Sequence, residues 1–294
     1  MKKTLLILIL CFCQIQFCFA LGWKQLHENA DKINLTDALE AIKKSPASVE
    51  DLYVLGLAYL NFHKDNEAKE LFNKILSLDA GSVKAKWGVA ETLRRAHDLK
   101  GSESMIREVL KADPEFWPAY ITLAYIKYIQ MKFDDAVKLA HKVQDQGMAK
   151  VDLSNYVRAI LLIAGAKGMI AHYGGPLSKA INGTAVMPNL KKAQRIQPNS
   201  AGVTFGLGSF YFLAPKIVGG SKEKAEAYLK KTIELDPNFV DAYVRIAQLY
   251  KIKGDNAKYK DYLRKAGEID PQNEILLDFL SGACKFICVG GKED

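Results

Sequence analysis

Residues 47–80 read ASVEDLYVLGLAYLNFHKDNEAKELFNKILSLDA, and the next 34, residues 81–114, read GSVKAKWGVAETLRRAHDLKGSESMIREVLKADP. Laid over each other without a gap, they match Ala68 to Ser102, His63 to His97 and Asp79 to Asp113. Helix-ending dipeptides continue the pattern outward at Ser45-Pro46, Asp79-Ala80, Asp113-Pro114, Gly147-Met148, Gln197-Pro198, Asp236-Pro237 and Asp270-Pro271. The second members are spaced by 34, 34, 34, 50, 39 and 34 residues. A fixed period of this length marks a stack of supersecondary units, each unable to bury its apolar face alone. Proline just past the second helix of a unit cannot continue it and so closes the unit.

The units agree position by position. The first has Leu55-Gly56 and Tyr59 in helix A, then Ala68, Phe72 and Ile75 in helix B. The third has Leu123-Ala124, then Ala136, Ala140 and Val143. The fifth has Leu207-Gly208 and Tyr211, then Ala225 and Leu229, and the sixth Ile246-Ala247 and Tyr250, then Leu263 and Ala266. Small residues at the crossing let two helix axes approach, and large ones fill the gap to the next pair. In these residues the chain resembles the tetratricopeptide repeat family over residues 47 to about 290. The resemblance implies an all-α solenoid of about six helical hairpins over residues 47–273, with loop insertions in units four and five. Ser102 and Tyr259 replace the Ala favoured at the crossing, so packing there is expected to be looser. Residues 21–46 are expected to add a helical pair, with Asn34 or Thr36 capping its second helix. Residues 274–294 are read as a capping helix, through Cys288, and a tail.

Composition fits a folded chain. Hydrophobic residues are 49% and charged residues 25%, with 21 Gly and 9 Pro, which excludes disordered and collagen-like classes. The net charge is +8, of which Lys2 and Lys3 supply two. A moderate excess spread over a large surface is no nucleic-acid footprint, and no nucleic-acid partner is expected. Lys2 and Lys3 precede an uncharged apolar run over residues 4–19, and Cys18-Phe19-Ala20 has small residues where a leader is cut. Residues 1–20 are therefore read as a signal peptide, the chain's one membrane contact, cleaved near Ala20. The mature chain is then exported, most simply to a periplasm. Phe17 before Cys18 argues against lipid attachment. Three Cys leave with the leader; Cys284 and Cys288 remain and are candidates for a short-loop disulfide. With no neighbouring His they make an incomplete zinc site.

The long intervals contain Gly174-Gly175-Pro176-Leu177-Ser178-Lys179-Ala180 and Gly219-Gly220-Ser221-Lys222-Glu223-Lys224-Ala225, both reading GG-x-x-x-KA. They are helix-boundary devices, the lip of a binding site or a phosphate cradle at a helix N-terminus. Neither belongs to a full nucleotide motif. Residues 154–173 are apolar enough for a membrane span, but Arg158, Lys167 and His172 interrupt them, so a buried central helix is expected.

The family resemblance places helix A residues on a concave face. Carried over, it marks Tyr53, Leu57 and Leu60; Trp87, Glu91, Arg94 and Arg95; Ile121, Tyr125, Tyr128 and Ile129; and Phe205, Ser209, Phe212 and Leu213. Aromatic groups there are either core or binding anchors, and Arg94 and Arg95 suit a carboxylate. The family's carboxylate clamp is not reproduced, because Tyr53 and Leu57 stand where it wants Lys and Asn. No catalytic motif occurs and the five His are scattered; His63 and His97 read as solvent-facing turn residues. No enzyme and no cofactor are expected. The function expected is an exported scaffold binding a protein or peptide segment of an envelope complex. The alternative is a transport accessory with a small apolar ligand, since residues 206–235 resemble the TRAP transporter T-component family. An apolar inner face also admits self-association. The tentative site is Tyr53, Trp87, Arg94, Arg95, Tyr125, Tyr128, Phe205 and Phe212, with the glycines Gly174, Gly175, Gly219 and Gly220.

Overall fold

A computed structural model describes residues 22–44 and 48–289; the expected signal peptide, the Ser45-Pro46 helix end and the last five residues lie outside them. Among the described residues every regular element is helical and none is a strand. Helices α1 (Trp23–Ala30) and α2 (Leu35–Lys44) come first, and both pack on α3. Three hairpins of uniform size follow, α3 (Val49–Asn61) with α4 (Asp65–Leu78), α5 (Val83–Arg95) with α6 (Leu99–Ala112), and α7 (Trp117–Ile129) with α8 (Phe133–Gln144). The short α9 (Gly147–Lys150) leads into α10 (Leu153–Tyr173). Its return limb is α11 (Pro176–Ser178), a π-helical turn over Lys179–Gly183, and α12 (Thr184–Ile196). Then come α13 (Ala201–Leu213) with α14 (Lys222–Leu235), α15 (Val240–Ile252) with α16 (Asn256–Ile269), and the closing α17 (Glu274–Ser281). This is the tetratricopeptide-type hairpin solenoid.

Local chemistry explains the period. The carboxylates of Asp79, Asp113, Asp236 and Asp270 each accept the backbone N–H two residues on, at 2.9 to 3.0 Å. This Asx turn reverses the chain after each helix B. Ser82 and Asp98 accept the N–H of Ala85 and Gly101 and so cap the two helices of the second unit. Asn34 caps α2 by accepting the N–H of Asp37 at 2.9 Å. Between helix A and helix B, His63, His97 and Met131 take up left-handed φ of 55°, 62° and 60°. These three sit 34 residues apart, and Gly254 takes the same conformation in unit six.

Packing is set by small residues facing large ones. Phe72 is fully buried and its ring lies between Gly56 of its own unit and Gly88 of the next. A Cβ on Gly56 would fall 2.6 Å from the ring, and one on Gly88 2.5 Å. Gly208 faces Leu229 in the same way, at 2.8 Å. The looser crossing expected at Ser102 is not found. Ser102 is fully buried and its hydroxyl lacks a partner, because close packing leaves the small side chain no route to water. Tyr259 is half-buried, edge-on to Phe279 with centroids 6.4 Å apart.

Two further expectations are corrected. The insertion in unit four is not a loop. Helix α10 has 21 residues where the other A helices have 13, an excess of about 12 Å at 1.5 Å per residue. A Cβ on Gly165 would lie 3.6 Å from Tyr128, near the end of α7, so α10 runs on past α7 and overhangs it. The excess is at its C-terminal end. Its Gly pair is not left-handed, with φ of −89° and −71°; Gly174 is needed because a Cβ would meet Ser178 and the Ile170 carbonyl within 2.7 Å. The unit-five insertion is a true connection, with a 3-10 turn over Lys216–Val218 and Gly219 at φ +102°. The closing helix ends at Ser281 rather than reaching Cys288. Gly282 turns left-handed at φ +71°, and Cys284 and Cys288 join in a disulfide with Cα atoms 5.0 Å apart. Helix α10 is long and apolar enough to cross a membrane, yet half of that window is buried, packed on α7, α8, α12 and α13.

The Phe72 wedge predicts that Gly88→Ala lowers stability by about 1–3 kcal/mol through overpacking. Gly267→Ala, whose Cβ meets only Leu276 at 4.0 Å, is expected to leave stability equal or higher. Urea midpoints of the two variants check the contrast.

Candidate functional site

The A helices line the inner face, and the chain's own first helix lies on it. Helix α1 presents Trp23, Leu26, His27 and Ala30, an i, i+3, i+4, i+7 stripe. Trp23 meets Phe116 edge-on at 5.5 Å, and the His27 ring lies 5.1 Å from Trp87 and 5.9 Å from Tyr53. Asn155 Nδ2 can only donate, so it points its N–H at His27 Nδ1 over 3.4 Å. His27 Nε2 then donates to Tyr53 Oη at 3.0 Å. Burial lowers the pKa of His27 and keeps the ring neutral. At the end of the helix, Ser154 Oγ donates to Asp31 at 2.5 Å. Units one to four thus hold a short helix across their A helices.

Beneath α1 runs a buried polar network. Trp87 Nε1 donates to Thr122 Oγ1 at 3.0 Å, and Thr122 donates to Glu91 at 2.9 Å. Arg94 grips Glu91 with two bonds of 2.6 and 3.0 Å. Arg95 reaches Glu91 at 3.4 Å, the Leu60 carbonyl at 2.8 Å and Asp65 at 3.1 Å. Burial alone would raise the Glu91 pKa, but the Arg94 and Arg95 charges bring it down to about 2. The Arg94 guanidinium also lies 4.4 Å over the Tyr125 ring, and burial raises the pKa of that tyrosine. Arg94 and Arg95 are therefore both paired with carboxylates of the protein itself.

A polar opening lies in the groove, between α1, α3, α5 and α10. It has room for about one water molecule. Asn155 Oδ1 faces this region buried and without a partner. Arg158 lies at its rim, exposed and with no ion pair among the described residues.

The other end of the inner face is filled from the C-terminus. Phe286 stacks on Tyr128 with centroids 5.9 Å apart. Arg245 donates to the Phe286 and Ile287 carbonyls at 2.6 and 2.5 Å, while Asp278 accepts from the backbone of Lys285 and Phe286 at 2.9 Å. Tyr173 Oη donates to the Lys285 carbonyl at 2.7 Å. Burial pushes Tyr128 up to about 12.

The sequence-derived residues thus fall into separate places. Tyr53, Trp87, Arg94, Arg95 and Tyr125 share the groove with α1, whereas Tyr128 belongs to the disulfide loop. Phe205 lies tilted against Phe239 with centroids 4.9 Å apart, and Phe212 is buried against Ala225 and Leu249 between units five and six. Gly174 lies in an open cleft of about 490 Å3 under the α10 overhang, lined by Met131, Phe133, Ile170 and Tyr173; Gly219 and Gly220 are in the unit-five connection. Sequence reasoning missed His27 and Asn155. The apolar stripe in residues 23–30 was visible, but the place where it docks is 26 to 128 residues away.

His63 and His97 both stand in turns between helices, His63 exposed and His97 half-buried rather than solvent-facing, and each has a carboxylate partner. His63 Nε2 lies 3.1 Å from Asp236. His97 lies 3.0 Å from Glu274 through Nδ1 and 3.1 Å from Asp270 through Nε2. The two histidines are 34 residues apart, and so are the two aspartates. The superhelix therefore brings units one and two onto the ends of units five and six in register.

The family description Tetratricopeptide repeat matches residues 52–81 and 240–273, and the chain contains such repeats. No curated protein matches the sequence. The human IFIT1 dimer with m7Gppp-AAAA is similar in fold, with a TM-score of 0.57 and 16% identity over 85% of this chain and 59% of that one. The APC/C hetero-tetramer Cut9-Hcn1 gives 0.56 and 15% over 87% of this chain and 47% of its own. The chain thus spans about half the length of these structures, and the likeness is one of fold. The T-component resemblance of residues 206–235 gains no support here. The two GG segments behind it also differ in backbone.

Contact with Glu274 and Asp270 raises the pKa of His97 above its ordinary 6.5, against the lowering effect of burial. A raised folded pKa gives stability that is whole below 6.5 and lost as pH rises through the folded value. His97→Gln is therefore expected to lower the melting temperature by a few degrees at pH 6, with the gap to wild type closing by pH 9. Melting curves at both pH values check it.

Proposed function

We propose that this protein is an exported, non-catalytic scaffold whose inner face holds a helical segment of an envelope partner. Tetratricopeptide repeats make a scaffold suited to protein or peptide binding. The observation that carries the finer reading is α1 itself. A helix with anchors at Trp23, Leu26, His27 and Ala30 already lies across the A helices, so the groove has the width and chemistry to hold one. A partner helix would use the same anchors, either displacing α1 or seating beside it, and would offer an acidic group to Arg158. The leader over residues 1–20 supports export. The reading as a carrier of a small apolar ligand has less behind it. The groove opening is one water in size and the cleft beside Gly174 is open, whereas such carriers enclose their ligand.

A photo-reactive phenylalanine analogue at position 158 tests the reading in the native host. Envelope cross-links are expected from position 158 and not from Leu78, exposed on the outer helix α4. Equal capture from both positions would contradict an inner-face site.

A further inference from the structure

The two breaks in the repeat point to a second surface. Both follow an A helix. Helices α10 and α13 are joined through the single antiparallel limb α11–α12 and pack on each other, so they run parallel and end at the same edge of the stack. Leu161 sets their register, because a Cβ on Gly202 would lie 3.2 Å from it and one on Gly206 3.6 Å. The apolar side chains exposed at this edge have no internal role. Ile217 is 95% exposed and Val218 58%, while Leu177 and Ile181 are 73% and 61% exposed. A packed solenoid gains nothing by presenting these four to water, and exposed apolar groups concentrated in one region mark an interaction surface.

Within the two segments themselves the charge has one sign. Residues 174–188 contain Lys179 and no acid, and residues 214–222 contain Lys216 and Lys222 and no acid. Further along this edge, Glu223 hydrogen-bonds Ser221 at 2.9 Å and feels the charges of Lys216 and Lys253. Glu226 is ion-paired with Lys230 and Lys253. Across the cleft, Asp134 and Asp135 open α8 beside Lys132. Apolar side chains flanked by lysines are the pattern of a shallow membrane insertion, in which the side chains enter the acyl boundary and the ammonium groups meet anionic headgroups.

We infer that the edge formed by the unit-four hairpin tip and the unit-five connection binds the surface of an anionic phospholipid bilayer, with Leu177, Ile181, Ile217 and Val218 entering the interface and Lys179, Lys216 and Lys222 meeting phosphate. This surface is separate from the groove under α1, so it stands or falls apart from the proposed partner site.

Vesicle co-sedimentation tests it, using the chain from Leu21 onward, which carries every described helix without the apolar leader. Sedimentation is expected with vesicles of phosphatidylcholine containing 30% phosphatidylglycerol (about a third anionic, to give a negative surface potential), and not with phosphatidylcholine alone. Ile217→Glu and the pair Lys216→Glu with Lys222→Glu should each weaken partitioning about tenfold or more. Raising salt should weaken the wild type. Leu280→Glu, at an exposed apolar site on α17 away from this edge, should bind as wild type. Unchanged melting temperatures establish that the variants fold. Wild-type protein left in the supernatant would overturn the inference, as would Ile217→Glu binding normally. Sedimentation velocity showing a dimer that Ile217→Glu dissolves would reassign the edge to a second copy of this chain and overturn it equally.

Discussion

The ring of Phe72, held between Gly56 and Gly88, shows the constraint on which the rest of the molecule depends. A helical hairpin of this size cannot bury both of its apolar faces, so each must accept the next at a distance fixed by small residues opposite large ones. Repeating that distance fixes the curvature of the stack. The curvature then decides which remote residues meet. His63 and His97 reach Asp236 and Asp270 because both pairs share one period. A shift of one residue in the spacing between units one and two, or between units five and six, would put one of the two contacts out of register.

The same curvature makes the inner face narrow enough to be filled by the chain's own ends. Helix α1 enters from one side and the Cys284–Cys288 loop from the other. Between them the network of Glu91, Arg94 and Arg95 is buried, and charges in such a place persist only when each is paired and hydrogen-bonded. The pairing is complete at Glu91 and incomplete at Asn155 and Arg158. Polar groups left without partners in an otherwise satisfied groove are where an additional helix or its acidic side chain gains most on arrival.

Much of the fold was legible because its signals are local. Each Asp-Pro end reports an Asx turn made within three residues, and the 34-residue period reports the hairpin. The disulfide was legible from two cysteines spaced four residues apart. The unit-four insertion was legible as length but not as helix. Gly174-Gly175-Pro176 reads as a break, yet Pro176 starts a new helical turn and the return limb continues to Ile196. Least legible were contacts between distant units. Nothing near His97 in the chain announces Glu274, 177 residues away, and nothing near Trp23 announces Phe116. The residues carried over from the family do lie on A helices, but Phe205 and Phe212 pack against the neighbouring unit. Occupancy of the inner face by α1 and by Phe286 is a property of the closed superhelix, which no window of sequence contains.

Amide hydrogen exchange across α1 tests the account most directly. If residues 26–31 lie in the groove, their amides at pH 7 should exchange at least about a hundredfold slower than an unstructured peptide, approaching those of α3, since an isolated eight-residue helix has almost no stability of its own in water. Exchange of these amides at the unstructured rate while α3 and α5 stay protected would mean that the inner face stands empty, and would contradict the account at its centre.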